Sequence, residues 1–577
     1  MSLRLYRTSW LVAGVALVVA LLTLQSPGPA PEPELPPAFD AVAARTLSDE
    51  LIRLVPERPP GAPANERSAE WIAQKLQDVL DATPGGASPR RVQRQEFVAR
   101  ADGRTYALTN VFAVLPPTAS PAKRSAVLVV APRDTPPGVS GGTSGTAILV
   151  ELARSAAARA RHRPLIFLST DGSTIGNAGV RWFLHRNSRL PFLAAVVLDA
   201  PGEAGGDRVR IWSFGRSDRH SLELARLAEQ AVGEAQGRGD GPPSLGEQVL
   251  RLGVPQSFGD QGPLIARGIP AVALSGRGES PLSSTAAPTE DRLDLVGTAA
   301  AWLVGSLEAA DSVAAPDGSI AFSGRRLRPT IVRIALLLLA LPVLVLAVDG
   351  YARARRARLT IGRGLRSLAW RGLPAVVALL AAYLLSLVSL IPPSAAGAPP
   401  LPQAAALDGP AAGGVVAVAL ISFLTWLGAR RRVRAARALA GEEAAAALLA
   451  LAALIVLAWL TRPFALALLL PAAHAALVAA AARRAWQVVA LAAVGVLPLL
   501  ALCVSVGGML GGNAVGAAWY LLATSADGSR GWAGPMLATL AAVVLWSLGG
   551  VVAFRARKGL VAGADLPAGV RRPGGRR

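Results

Sequence analysis

Residues 125–154 read SAVLVVAPRDTPPGVSGGTSGTAILVELAR, and the three parts of this stretch decide the fold. Residues 126–131 form a short apolar run rich in β-branched side chains, suited to a buried strand. A segment dense in Pro, Gly, Ser and Thr follows, composed of the residues that turn a chain. From 146 to 158 the apolar residues return at helical spacing. Strand, polar loop and helix in that order form the building unit of an α/β domain.

The same alternation extends outward. Residues 107–115, 164–169 and 194–198 are further apolar runs of strand length, and 64–80 has helical spacing. Mixed charge and regular turn signals persist from about 38 to 310, and roughly 270 residues is a comfortable size for one core. The fold class expected here is α/β: a sandwich of helices around a mostly parallel sheet, followed by an all-α polytopic membrane domain.

Composition requires that second part. The chain has 577 residues, 52% of them hydrophobic, and a mean hydropathy of +0.41, too long for one ordinary domain and too apolar to be wholly soluble. Apolar runs near 330–349, 372–392, 411–428, 443–460, 463–482, 486–507 and 534–554 approach the ~20 residues that cross a bilayer. An eighth lies near the N-terminus, where two arginines precede residues 10–24 and a Pro-rich stretch without a clear cleavage site follows, the pattern of a signal anchor. The net charge of +21 is concentrated in arginine clusters between apolar runs, at 353–371, 430–437, 483–484 and 555–577, whereas 391–410 and 507–533 carry almost none. Topology explains that distribution better than nucleic-acid binding does, with the clusters and both termini cytoplasmic and 38–312 extracellular. The run at 514–523 is too short to cross and is expected to lie at the interface or to re-enter.

The expected organisation is therefore 1–37, a cytoplasmic N-terminus, signal anchor and Pro-rich linker; 38–312, the extracellular domain; and 313–329, a linker. Residues 330–556 follow as a membrane domain of about seven helices, with 557–577 a basic cytoplasmic tail. The single cysteine, Cys503, excludes an intrachain disulfide. Richness in Ala and Arg points to a bacterial genome of high GC content.

Ordered short motifs make the resemblance specific. RPPG at 58–61 with ANE at 64–66, TNVFAV at 109–114, PRDT at 132–135, SGTA at 144–147, FLSTDG at 167–172, VVLD at 196–199, GDQGPL at 259–264 and GIPAV at 268–272 follow one another along the α/β block. Order and spacing resemble peptidase family M28, in the branch that joins a lumenal or extracellular peptidase domain to several membrane helices. A second branch of similar architecture, the Gaa-type subunit of GPI transamidase, has a peptidase-like domain without the usual zinc set. The resemblance implies a zinc-exopeptidase-like sandwich and, in active members, two zinc ions held at the carboxyl ends of the strands by histidines and carboxylates, with a glutamate as general base.

Carried over position by position, that set is nearly absent here. The first histidine falls on Pro132 and the bridging aspartate on Gly141. The glutamates serving as base and ligand fall on Ser173 and Thr174, and the last histidine falls near Ser284. Asp199 is the one ligand position retained, with Asp134 at the position that would orient the first histidine. A lone carboxylate holds zinc weakly, and loss of the base alone lowers the rate by roughly 10²- to 10⁴-fold. The expectation is a pseudopeptidase with no catalytic residues and no cofactor.

Other residues do not obviously rebuild a site. His162 and His185 are expected at the surface or a helix end, His220 at a helix start, and His474 within a membrane run. Ser144 in GTSGT at 142–146 departs from a Gly-x-Ser-x-Gly elbow and fits the turn that starts a helix. Asp199 and Asp260 fit loop hydrogen bonds, and Glu442 with Glu443 fits a solvated helix start. The functional expectation is a membrane-anchored, catalytically degenerate aminopeptidase-like protein that binds or scaffolds an extracellular peptide or protein, with the bilayer as its other partner and no nucleic acid. The alternatives are an active zinc exopeptidase with its ligands elsewhere, and a transport or lipid-handling membrane domain gated by the ectodomain.

Overall fold

The structure is a computed structural model that describes residues 3–564 apart from 27, 29–30, 35–37, 84–90, 102–103, 204–208, 237–240, 242, 277–278, 280–286, 389, 392–406, 437, 480–484, 511 and 527–532. Helix α1 (Leu3–Leu21) leads into an α/β half that opens with α2 (Ala41–Leu54), α3 (Pro63–Asp81) and the strands β1 (Gln93–Ala101) and β2 (Arg104–Leu115). Strands and helices then alternate through β3 (Ala126–Pro132), α4 (Ser144–Ala157), β4 (Leu165–Thr170), α5 (Ala178–Arg186) and β5 (Phe192–Asp199). The half closes with β6 (Arg210–Trp212), α6 (Leu222–Gln236), α7 (Leu245–Gly253), α8 (Gln261–Ala266), β7 (Ala271–Ser275) and α9 (Glu290–Ala309).

The seven strands form one sheet in the order β1-β2-β4-β3-β5-β7-β6. The central four run parallel, and β1, β2 and β6 flank them antiparallel. Side chains alternate between two dry faces. Val127, Val129, Phe167, Val196 and Leu198 pack under α2, α3, α4, α6 and α9, while Leu128, Val130, Ile166, Leu168 and Val197 pack under α5 and α8. Burial on both sides explains why these strands read as continuous apolar runs. From β3 the chain passes through α4 to β4 on one side, then through α5 to β5 on the other. The strand order therefore reverses at β3, the place beyond whose carboxyl end open α/β sheets generally form a crevice.

The second half begins with a small hairpin, β8 (Ile320–Phe322) and β9 (Arg325–Leu327). Residues 313–329, expected as a plain linker, are thus partly built. Three-residue strands are too short to leave a periodic signature, and this pair is held by Gln25, which exchanges both backbone hydrogen bonds with Arg326 at 3.1 and 2.9 Å. The helices α10 (Pro329–Arg356), α11 (Ile361–Leu387), α12 (Gly409–Ala435), α13 (Ala440–Thr461), α14 (Leu466–Ala479), α15 (Ala485–Met509), α16 (Ala514–Ala526) and α17 (Ala533–Ala564) follow.

Six helices, α1, α10, α11, α12, α13 and α15, are long and apolar enough to cross a membrane among the described residues. Of the other two expected spans, the 463–482 run forms a 3-10 turn at Pro463–Ala465 and then α14, and the 534–554 run lies within the 32-residue α17.

α1 packs along α10, and Tyr6 on it donates its hydroxyl hydrogen to His474 Nδ1 at 3.0 Å. His474 Nε2 donates to the Leu339 carbonyl at 3.0 Å, so the expected intramembrane histidine ties three helices with both ring nitrogens satisfied. One set of helix ends meets the α/β half. Phe464 lies against Gly253 and Gly318, Met509 joins the core beside Leu264, and Tyr520 of α16 packs on Phe258 with ring centroids 5.8 Å apart. The 28 residues of α10 carry Arg353, Arg355 and Arg356 about 40 Å from that side.

Candidate cleft at the strand ends

Four of the positions singled out by sequence, Pro132, Asp134, Ser173 and Thr174, come together beyond the carboxyl ends of β3 and β4, where hydrogen bonds within the protein engage the last three. Pro132 is the last residue of β3 and pairs with Thr170 of β4. Asp134 lies buried two residues on and accepts from the Ser173 amide at 2.9 Å, the Thr174 amide at 2.9 Å and the Thr174 hydroxyl at 2.6 Å. The Ser173 hydroxyl donates in turn to Asp260 at 2.8 Å, which also accepts from Thr170 Oγ1 at 2.7 Å and Asn177 Nδ2 at 2.9 Å. Ser173 and Thr174 are thereby bound between two carboxylates.

The remaining positions are dispersed. Gly141 has a φ of 97° and gives its carbonyl to the Arg58 guanidinium. Asp199 ends β5, half-buried and paired in the sheet with Ser275. Ser284 lies outside the described residues. Ser144 does not cap α4. Its hydroxyl donates to buried Glu203 and accepts from the Gly202 amide at 3.0 Å, and the side chain has no exposed surface.

Of the histidines, His162 is partly exposed near Glu34 and His185 is exposed in the last turn of α5. His220 stands two residues before α6, at the expected helix start, and it is also buried, stacked on Phe214 at 4.6 Å and bonded through Nε2 to the Ser319 carbonyl at 2.6 Å.

Four buried polar residues were missed by the sequence reading. Arg133 pairs with Asp171 at 3.1 Å, both buried, and Asn65 donates to the same carboxylate at 2.6 Å. Glu279 accepts from the Phe258 amide at 3.1 Å and from Gln261 Nε2 at 2.8 Å. Partners 38 and 106 residues apart in sequence give no local signal. Burial pushes the Asp171 carboxyl up, against Arg133, takes Asp260 to about 6 against its hydrogen bonds, and takes Glu279 to about 7, opposed by Arg251 and the Phe258 amide.

Those shifts predict a pH profile. A carboxyl whose folded pKa is raised stabilises the fold below its unfolded value, and that contribution is lost as pH rises through the folded one. His220, lowered by burial, acts oppositely and costs stability once pH falls below its ordinary value near 6.5. Stability should therefore rise by about 1 kcal/mol from pH 8 to pH 6.5. Denaturant unfolding at stepped pH measures this, and Glu279→Gln should remove most of the rise. A wild-type profile flat across that window would show that Glu279 stays ionised.

The donor set does not fit a zinc pair. Pro132 has no side-chain ligand atom, Gly141 only a carbonyl already engaged, and the hydroxyls of Ser173 and Thr174 donate to Asp260 and Asp134. Among the described residues no three His, Cys, Asp or Glu side chains gather as metal ligands would.

No family model and no curated protein matches this chain. Among solved structures, it is similar to a zinc aminopeptidase from Bacillus subtilis at 13% identity and a TM-score of 0.36, over 46% of this chain and 95% of that one. An aminopeptidase from an Aneurinibacillus strain matches at 12% and 0.36, over 47% and 93%. A glutaminyl cyclase from Fimbriiglobus ruber matches at 18% and 0.35, over 48% and 98%. These likenesses are to zinc-exopeptidase-type structures at low identity, over about half of this chain.

Proposed function

We propose that this chain is a membrane-embedded relative of the M28 aminopeptidases whose cleft has lost zinc chemistry and binds an extracellular peptide or protein. The observation that supports this most is the Asp134–Thr174 and Ser173–Asp260 hydrogen bonding. The side chains at the positions of base and ligand are turned to holding the loop together. Without bound metals there is no activated water, and without a glutamate there is no base to deprotonate it. A shaped cleft with backbone donors can still recognise a chain terminus.

The topology proposed with it has both termini cytoplasmic. The start of α10, the α13–α14 turn, the end of α15 and α16 meet the α/β half, and the arginine-rich ends of α10 and α12 suit the cytoplasmic side.

The test uses the full-length protein purified in detergent, incubated with zinc and desalted. Metal content by mass spectrometry and turnover of aminoacyl reporter substrates are then measured. The expected result is no stoichiometric zinc and no turnover above the protein-free rate. Two equivalents of zinc with turnover would overturn the reading.

A further inference from the structure

Helix α12 carries a line of aromatic and then cationic side chains along one face. Phe423, Trp426, Arg430 and Arg434 follow at spacings of three, four and four residues, which sets them one above another on the helix. Phe423 and Trp426 are 53% and 49% exposed, and both arginines are exposed. The two rings stack with centroids 5.8 Å apart, and the Arg430 guanidinium lies over the Trp426 ring at 5.4 Å. Arg432 stands about 200° round the helix from Arg430. It turns to α11 instead, over the Trp370 ring at 5.6 Å. One face thus holds α12 to α11, and the line from Phe423 to Arg434 lies on another.

The charge on that line is not compensated. Residues 350–441 hold one acid, Asp408, which caps the opposite end of α12 through the Ala411 amide at 2.8 Å. The acids that flank this stretch are engaged elsewhere. Asp349 pairs with Arg353 at 2.8 Å, Glu442 accepts from the Thr360 and Leu439 amides, and Glu443 holds Arg371 and Ser367 at 2.7 Å. Among the described residues the guanidinium groups of Arg430 and Arg434 make no hydrogen bond and no ion pair. A guanidinium lying over an indole keeps its N–H groups for paired bonds to phosphate oxygens.

Depth fits the same chemistry. Tryptophan favours the boundary between hydrocarbon and headgroups. Arg430 stands about 6 Å farther along the axis and Arg434 about 12 Å, against a headgroup layer about 5–8 Å thick. Both side chains reach phosphate level with their stems along the apolar face.

The geometry points to a binding site for the phosphodiester of an anionic phospholipid, its acyl chains along Phe423 and Trp426 and its phosphate on Arg430 and Arg434. With the neighbouring acids already engaged, nothing receives the ammonium of a zwitterionic headgroup, so net negative charge discriminates. A second copy of the chain on this face would bring four arginines together, which disfavours it.

The site rests on the membrane reading of α12, which a separate measurement checks: an alkaline carbonate wash should leave the protein in membranes. Release by that wash would refute the membrane reading itself. For the site, the delipidated full-length protein in detergent is offered phosphatidylglycerol, phosphatidylethanolamine and phosphatidylcholine in equal amounts, and native mass spectrometry counts the lipid retained and the copies of the chain. Phosphatidylglycerol should exceed each of the others by about tenfold. The double variant Arg430→Gln with Arg434→Gln should lose about that factor. Arg355→Gln with Arg356→Gln removes equal charge from exposed positions of α10 and should cost less than about twofold. Unchanged melting temperatures certify that the variants fold.

Equal retention of the three lipids, equal losses in the two double variants, or a dimer that carries no lipid would overturn the site. Glycerophosphoglycerol binding as tightly as the lipid would overturn the lipid source.

Discussion

Arg58→Ala should lower the unfolding free energy by about 4 kcal/mol, an effect expected when several buried polar groups lose one shared partner. Arg58 has no exposed surface. Its guanidinium donates to the carbonyls of Arg133 at 2.8 Å, Val55 at 3.0 Å, Gly142 at 3.3 Å and Gly141. Among the described residues no carboxylate pairs with it. Burial brings its pKa down to about 10, with Glu203 and Asp134 pulling the other way from a distance, so it remains charged at neutral pH.

The side chain therefore acts as a many-armed clamp between the α2–α3 connection, the end of β3 and the loop before α4. Those three segments form the floor of the candidate cleft. Truncation leaves at least four buried carbonyls without a donor and opens a cavity. Arg58→Lys keeps the charge but offers a single donor centre, and should recover less than half of the loss. Thermal unfolding of the full-length protein in detergent, followed by tryptophan fluorescence, should show Arg58→Ala melting about 10 °C lower. A fall of less than 2 °C would mean that the clamp is not formed in solution.

Much of the fold was legible because its signals are local. Strands β3, β4 and β5 are buried on both faces, so composition alone marks them. α3 and α4 declare themselves by periodicity, and the long membrane helices by length. Illegible features have partners far along the chain. His220 reads as a helix start and stands just before α6, but its burial depends on Ser319, 99 residues away, whose carbonyl accepts from its Nε2. Gln25 closes the β8–β9 edge from 301 residues before Arg326, and α14 is shortened by a 3-10 turn that an apolar run does not announce.

The candidate site was legible in another sense. Its positions came from family resemblance, and its chemistry from the types of side chain found there. The hydrogen bonds of Asp134 and Asp260 required the structure, because nothing in DGST at 171–174 states which acid faces which hydroxyl.

Gly145→Ala is the second large effect, and two opposed terms set its sign. In a helix interior, alanine is preferred over glycine by about 1 kcal/mol. At Gly145 an added Cβ would stand 2.3 Å from the Leu198 carbonyl oxygen and 3.3 Å from its carbon. Both are backbone atoms of β5, held between β3 and β7, so the strand cannot yield. α4 would have to lift by about 1 Å, loosening Ile148, Leu149 and Leu152 in the core and stretching the bonds from Ser144 to Glu203. Overpacking of this kind outweighs the helical gain, for a net loss of about 3 kcal/mol.

Gly246 in α7 provides the control, since nothing lies within 4 Å of its added Cβ. Gly246→Ala should be neutral or up to about 1 kcal/mol more stable. Paired denaturation curves decide the matter. A Gly145→Ala protein as stable as Gly246→Ala would show that the start of α4 does not rest on β5, and would remove the rigid floor on which the proposed peptide-binding cleft depends.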